Sequence, residues 1–278
     1  MLKSCLNSLV TQTKKSDEVI VVDNSSNDNT KNVVINFNKQ LPIRYIFEPR
    51  IGIPIARNTG IKNAKYDIIA FIDDDCVADK NWIKNLHIIH KKNSDILIIQ
   101  GKINNKLKNK LLGEAFQYLL NNCDPAPFDT KNLSFKRKIL NNLKYVFDEK
   151  FIFGEDAELG VRLRQKRYKI LHSPNIVVYH DHRTDFISFA KQQFISGKYA
   201  YLLKQKYKKD LRYLPKDLQN IYFLLGSLFI MPFTHTFKSI KVVGLKSAIK
   251  FLPIIFFQKL FRYFGFISGR IIFDNNKK

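Results

Sequence analysis

The fold is decided by Ile68-Ile69-Ala70-Phe71-Ile72-Asp73-Asp74-Asp75, where five apolar residues run directly into three carboxylates. The apolar run has the length and composition of a strand buried on both faces, as in a parallel sheet. The acids then emerge at its carboxyl end, which in open α/β sheets is where ligands bind. Three adjacent like charges repel one another and resist desolvation, so a cation is expected beside them. A hard divalent metal carrying phosphates suits carboxylate oxygens. Taken alone, the cluster serves equally well as an acidic turn ahead of a helix, with Asp75 or Asp79 as the cap.

The flanking sequence repeats the pattern. Residues 18–23 form a second apolar run ending in an acid, Asp23, and a turn-rich loop follows to Thr30. Residues 43–47 read as a strand, 52–64 as a helix with Pro54 near its start, 82–90 as a helix and 95–100 as a strand. Residues 132–135 are a short extended stretch. Gly154-Glu155-Asp156 opens a helix expected to reach about Arg167. Strands are expected at 168–171 and 176–179, ending at His180-Asp181-His182. Strands alternating with helices imply a mostly parallel sheet. Residues 2–10 carry a helical stripe of Leu2, Cys5, Leu6, Leu9 and Val10, and residues 101–127 read as a loop-and-helix insertion.

The 278 residues carry a net charge of +23, and 16 Lys and Arg against 3 Asp and Glu lie from Lys198 onward. That basic part is interleaved with aromatics. Residues 218–237 lack Asp, Glu, Lys and Arg and form a weak spanning candidate. Residues 253–273 show a wide apolar face with Gln258, Lys259, Arg262 and Arg270 on a narrow stripe, which suits a membrane interface. The charge sits beside these apolar segments, and no nucleic-acid module is visible, so a membrane surface is expected as partner and nucleic acid is not. Three cysteines without a CxxC pair argue for a reducing compartment with neither disulfide frame nor zinc site. No secretory signal is read at the start. GxGxxG, GxxxxGK[ST] and GxSxG are all absent, which removes support for dinucleotide, P-loop and serine-hydrolase readings.

Four acidic points therefore stand at element ends: Asp23, Asp73–Asp75, Glu155-Asp156 and the His180–His182 turn. In this order the chain resembles the family 2 glycosyltransferases. The matching stretches are residues 19–30, Gly52 with Ala56-Arg57-Asn58-Thr59-Gly60, residues 71–75, 132–137, Phe147-Asp148-Glu149 and 154–159. The resemblance covers residues 1–183 and implies a GT-A catalytic domain, Rossmann-like with helices on both faces of a mostly parallel sheet. Residues 184–278 then form membrane-associated helices.

The resemblance implies an inverting transfer of one sugar from a nucleotide-sugar donor to a glycan or lipid-linked saccharide. It implies Mg²⁺ or Mn²⁺ as cofactor and the cytoplasmic face of the cell membrane as location. Asp23 would meet the nucleobase, Arg57 the diphosphate, and Asp73 the ribose. Asp73, Asp74 and Asp75 would form the DxD-type motif, with Asp75 on the metal and Asp73 and His180 completing its shell. Asp156 would be the general base, with Glu155 beside it at the substrate. No QxxRW motif is present, which favours single rather than processive transfer. The family's opening strand is not found ahead of residues 2–10. The corresponding expectation is a misassigned start or a truncated chain with an incomplete nucleotide pocket. The alternative implied there is a non-catalytic relative that acts as a membrane-bound partner.

Overall fold

The computed structural model describes all residues except 107–109, 122–127, 183–184, 220 and 276–278. Cys123 and the boundary expected at residues 183–184 lie outside the described residues.

The chain opens with α1 (Leu2–Val10), β1 (Val19–Asp23), α2 (Thr30–Ile35), β2 (Ile43–Phe47), α3 (Ile53–Asn63) and β3 (Ile68–Ala70). It continues with β4 (Cys76–Ala78), α4 (Trp82–Lys92), β5 (Ile98–Asn105), α5 (Leu111–Asn121) and β6 (Leu133–Lys136). Then come α6 (Glu155–Gln165), β7 (Ile170–His180), α7 (Phe186–Lys206), α8 (Lys216–Gln219), α9 (Ile221–Phe229), α10 (Met231–Val243) and α11 (Leu245–Asn275). Two compact units result. One comprises Met1–Asn104 with Phe128–His180, and the other Asn105–Pro127 with Asp181–Lys278.

In the first unit β1 and β2 pair in parallel, Val19 opposite Ile43 through Asp23 opposite Phe47. A second sheet has the order β3-β6-β5-β7-β4. The expected parallel pairing holds at β1–β2. Elsewhere the sheet is mixed, with β3–β6, β5–β6 and β4–β7 all antiparallel. Strand length explains why sequence reading missed this: β3 has three residues, so the apolar run up to Ile72 carries no period that reports direction. Phe71 and Ile72 lie beyond β3, and the expected strands at 168–171 and 176–179 form one continuous strand, β7.

Two apolar clusters cover opposite faces. Leu6 and Leu9 of α1 pack with Trp82, Leu86 and Ile99, with Val19 and Val21 against them. Ile61 of α3 packs with Ile69, Phe135, Phe147 and Leu159. Asn132 ties the sheet together. Its side chain accepts the Trp82 indole N–H at 2.8 Å and donates to the carbonyls of Lys102 and Ile176. All three bonds are buried or part-buried, where an unmade bond is costly.

In the second unit α5 belongs with the carboxyl-terminal helices because Ala115, Tyr118 and Leu119 form one cluster with Phe251 and Ile255. Helices α7 and α11 approach at Gly197 and Gly265, where a Cβ would overlap the facing carbonyl oxygens of Arg262 and Phe194. The spanning candidate at 218–237 is not one helix: α9 ends at Phe229 and α10 restarts at Met231, with Pro232 in its first turn. Among the described residues α11 alone is long and apolar enough to cross a membrane by length and composition.

Gly265→Val is expected to destabilise the protein by about 3 kcal/mol through this overlap. Gly226→Ala, on the open side of α9 with nothing near its Cβ, is expected to gain up to about 1 kcal/mol from helix propensity. Urea unfolding of the two variants checks both signs.

Candidate active site

The acid cluster follows β3 after Phe71 and Ile72 and turns into β4, with the Cys76 N–H donating to the Asp73 carbonyl at 3.0 Å. The three carboxylates are thereby fanned out, and each takes different surroundings. Arg57, on α3, donates to Asp73 Oδ1 at 3.0 Å and to Glu155 Oε1. Its guanidinium also lies 5.8 Å from the Phe147 ring centre. Burial disfavours the Arg57 charge, but Asp73 and Glu155 outweigh it and hold the guanidinium firmly protonated. Glu155 is buried, and burial raises its carboxyl above the usual range despite Arg57.

Gly154 explains why α6 begins where it does. Its φ of 75° is left-handed, a conformation glycine adopts without a Cβ penalty. The turn places Glu155 and Asp156 in the first helical turn, where the helix dipole favours carboxylates. Burial is the largest effect on Asp156, followed by repulsion from Glu155 and Asp129. Together they push its carboxyl up to about 7, against the opposing pull of Lys131 and Arg57. A carboxylate with that value is poised to take a proton near neutral pH.

Sequence reading missed Asp129 and Lys131. They form an ion pair at 2.8 Å, and Asp129 also accepts the Lys131 N–H. Burial opposes both charges, yet each partner holds the other ionised: Asp129 moves down and Lys131 up. Lys131 acts electrostatically on both Asp73 and Asp156, so it supplies the second cation of the site. Both lie just before the matched stretch at 132–137, and a lone Asp-Thr-Lys in a loop carries no motif by itself.

Asp23 ends β1 and is buried. It accepts the Tyr45 hydroxyl at 2.5 Å and the Ser26 N–H at 2.8 Å. Burial pushes its carboxyl up, but these hydrogen bonds outweigh that and hold it below the usual carboxylate range. Tyr45 stands opposite Val21 in β2, so its position follows from the β1–β2 register.

Antiparallel pairing of β4 with β7 sets Cys76 opposite His180. The register brings His180 Nε2 to 3.2 Å from Asp75 Oδ2, although 105 residues separate them. Burial raises Asp75, but His180 outweighs it and the net movement is downward. Asp74 moves the other way: burial and its neighbours Asp75 and Asp73 raise it. Among the described residues no three His, Cys, Asp or Glu side chains converge to hold a metal by themselves. Asp73, expected on the metal, has its Oδ1 on the Arg57 guanidinium. Asp75 and His180 remain as an oxygen and nitrogen pair that fits a divalent ion whose other positions are filled by phosphate oxygens and water. Asp79 takes the plainer role, accepting the Asn81 N–H ahead of α4.

Asp23, Arg57, Asp73, Asp74 and Asp75 all line one cleft of about 600 Å³. Glu155 joins this wall through Arg57, and His180 through Asp75.

The profile of glycosyl transferase family 2 matches residues 1–145. The chain belongs to this family. Similar proteins include the glycosyltransferase GlyA of Streptococcus pneumoniae, 32% identical over 87 residues, or 31% of this chain and 12% of that protein. An uncharacterised glycosyltransferase of Haemophilus influenzae is 28% identical over 181 residues, or 63% of this chain and 58% of that protein. The chain thus spans less than two thirds of the length of these relatives. Among solved structures, a mannosyltransferase from Pyrobaculum calidifontis in complex with GDP-Man and Mn²⁺ superposes with a TM-score of 0.69. It is 14% identical, with 96% of this chain and 82% of that chain covered. S. aureus TarS in complex with UDP-GlcNAc gives 0.53 at 18% identity, covering 99% and 88%. These likenesses establish the GT-A-type α/β fold.

The raised Asp156 carboxyl has a stability consequence. Its neutral form is favoured in the fold, so stability falls as pH rises from about 4 towards about 7. Asp156→Asn is therefore expected to raise the melting temperature at pH 8 and leave it nearly unchanged at pH 4. Thermal unfolding at the two pH values checks this, and an equal shift at both would contradict it.

Proposed function

We propose that this chain transfers a single sugar from a nucleotide-sugar donor to a hydroxyl of a glycan or lipid-linked saccharide, with inversion. The observation that carries the reading is a carboxyl, Asp156, held near neutral pKa beside a cationic centre and a cleft walled by Asp23, Arg57 and Asp73–Asp75. Each residue then has a physical task. Asp23, fixed by Tyr45 and Ser26, presents a carboxylate edge for a nucleobase N–H. Asp73 accepts from ribose hydroxyls, and Glu155 orients Arg57, whose charge together with Lys131 offsets that of a diphosphate. Asp75 and His180 would hold Mg²⁺ or Mn²⁺, which as a Lewis acid stabilises charge on a departing nucleoside diphosphate. Asp156 takes the proton of the acceptor hydroxyl as that oxygen attacks the anomeric carbon. One base and direct attack give a single displacement. The donors bound in the two solved neighbours, GDP-Man and UDP-GlcNAc, support a nucleotide-sugar donor but leave the sugar open.

A membrane surface as the place of reaction is supported by the second unit. Phe229 at the end of α9, Ile230 between the helices, and Phe233 and Phe237 on α10 are exposed, with Lys238 and Lys241 on the same helix as the last two. Exposed aromatics flanked by lysines match an anionic bilayer interface. The reading places the enzyme at the cytoplasmic membrane face.

Asp156→Asn is expected to lower kcat by about 10²–10⁴ while donor binding, read by thermal shift with Mn²⁺, persists. Normal turnover would sink the base assignment. The rate of the parent should rise with pH through a midpoint around pH 7 to a plateau above it, and Lys131→Met should move that rise to higher pH, because removing a cation makes the base harder to ionise. Phe233→Asp with Phe237→Asp should reduce co-sedimentation with anionic vesicles. Unchanged binding by the double variant would remove these helices from the interface.

A further inference from the structure

Residues 145–147 lie in neither a helix nor a strand, so their backbone groups need partners from elsewhere. Side chains supply them from two sides. Asn58, the residue after Arg57 on α3, donates to the Phe147 carbonyl at 2.9 Å and accepts the Phe147 N–H at 3.0 Å. Arg162 on α6 donates to the Tyr145 and Val146 carbonyls, both at 2.5 Å. Arg162 is itself held by Glu158, fully buried on the same helix, at 3.1 and 2.8 Å. The stretch is therefore a strap between α3, which carries Arg57, and α6, which carries Glu155 and Asp156.

The strap delivers one ring. Phe147 is 1% exposed. Its ring centre lies 5.8 Å from the Arg57 guanidinium and 5.7 Å from the centre of the Phe71 ring, edge-on at 88°. Phe71 leads into the acid cluster, so the ring meets both of the segments that the Arg57–Asp73 ion pair joins. A guanidinium over an aromatic ring is attracted to it.

We propose that Asn58 is a positioning residue: by fixing the Phe147 backbone it seats the Phe147 ring against Arg57 and so sets where the guanidinium stands for the donor diphosphate. Asn58 acts through the ring and not on the donor. An amide is the side chain the place requires, because it donates to the C=O and accepts from the N–H of one residue at once, whereas a carboxylate only accepts. Charge on a departing diphosphate grows in the transition state, so a displaced guanidinium weakens that state more than it weakens donor binding. The effect on rate rests on the sugar-transfer reading, while the seating of the ring stands on geometry alone.

The test compares Asn58→Ala, Phe147→Leu, their double variant and Asn63→Ala in the full chain. Asn63 also lies on α3 but donates to the Thr59 carbonyl, so its variant controls for loss of an amide from this helix. Arginine side chains are labelled with ¹⁵N, and Arg57 is assigned by the signal lost in Arg57→Lys. In Asn58→Ala the Arg57 signal is expected to move towards its position in Phe147→Leu, where the ring is gone. In Asn63→Ala it is expected to stay at the parent position. An unmoved signal in Asn58→Ala would overturn the inference whether or not the protein transfers sugar. Steady-state hydrolysis of UDP-GlcNAc or GDP-Man with Mn²⁺, well below the melting temperature of every variant, reads the consequence. Asn58→Ala and Phe147→Leu are each expected to lower kcat on the order of tenfold or more, with donor KM within about threefold. The double variant is expected to be no slower than the slower single one, because both act through the same ring. Lost thermal stability with kcat unchanged, or losses that multiply in the double variant, would leave Asn58 a structural role only and overturn the inference. A parent inactive with both donors, its Arg57 signal still moving in Asn58→Ala, would support the seating and count against the transfer reading.

Discussion

The site depends on one buried guanidinium. Arg57 reaches from α3 to the exit of β3 through Asp73 and to the start of α6 through Glu155. It thereby neutralises two acids that would otherwise repel each other across the cleft. An unpaired charge at this depth is costly, so the three elements hold one another in place. The same cation restrains how far the neighbouring Asp156 carboxyl can rise. Asp156 is left near neutral because burial and two other carboxyls exceed the combined pull of Arg57 and Lys131.

Around that centre the acids are sorted by their partners. Asp23 and Asp75 are kept ionised, one by Tyr45 and Ser26, the other by His180. Asp74 and Asp156 are raised because repulsion and burial prevail there. A run of three aspartates therefore behaves as three different groups. Acids of lowered and raised affinity for protons side by side are a recurrent feature of catalytic sites.

Much of this was legible in the chain. Val19–Asp23, the helix expected at 52–64 and Gly154-Glu155-Asp156 combine local conformation with chemistry and kept their expected elements, while the acid cluster falls between β3 and β4. Asp129 and Lys131 were not legible, since their importance comes from an ion pair buried beside residues far away in sequence. The antiparallel pairings were not legible either, because short strands of two or three alternations carry no directional signal. The long apolar stretch at 218–237 misled for a simple reason: composition counts residues, whereas Pro232 decides where a helix must restart.

The sequence by itself determined the alternation of strands and helices, the acids at strand ends and the family, since these depend on local propensity and on residues adjacent in the chain. Only the tertiary structure decided which acid faces which cation. Arg57 meets Asp73 and Glu155 across 16 and 98 residues, and His180 meets Asp75 across 105. Those meetings follow from strand register and helix packing, which no single stretch encodes. It also decided that β1 and β3 belong to separate sheets, because the partner of a strand is fixed by what lies beside it in space.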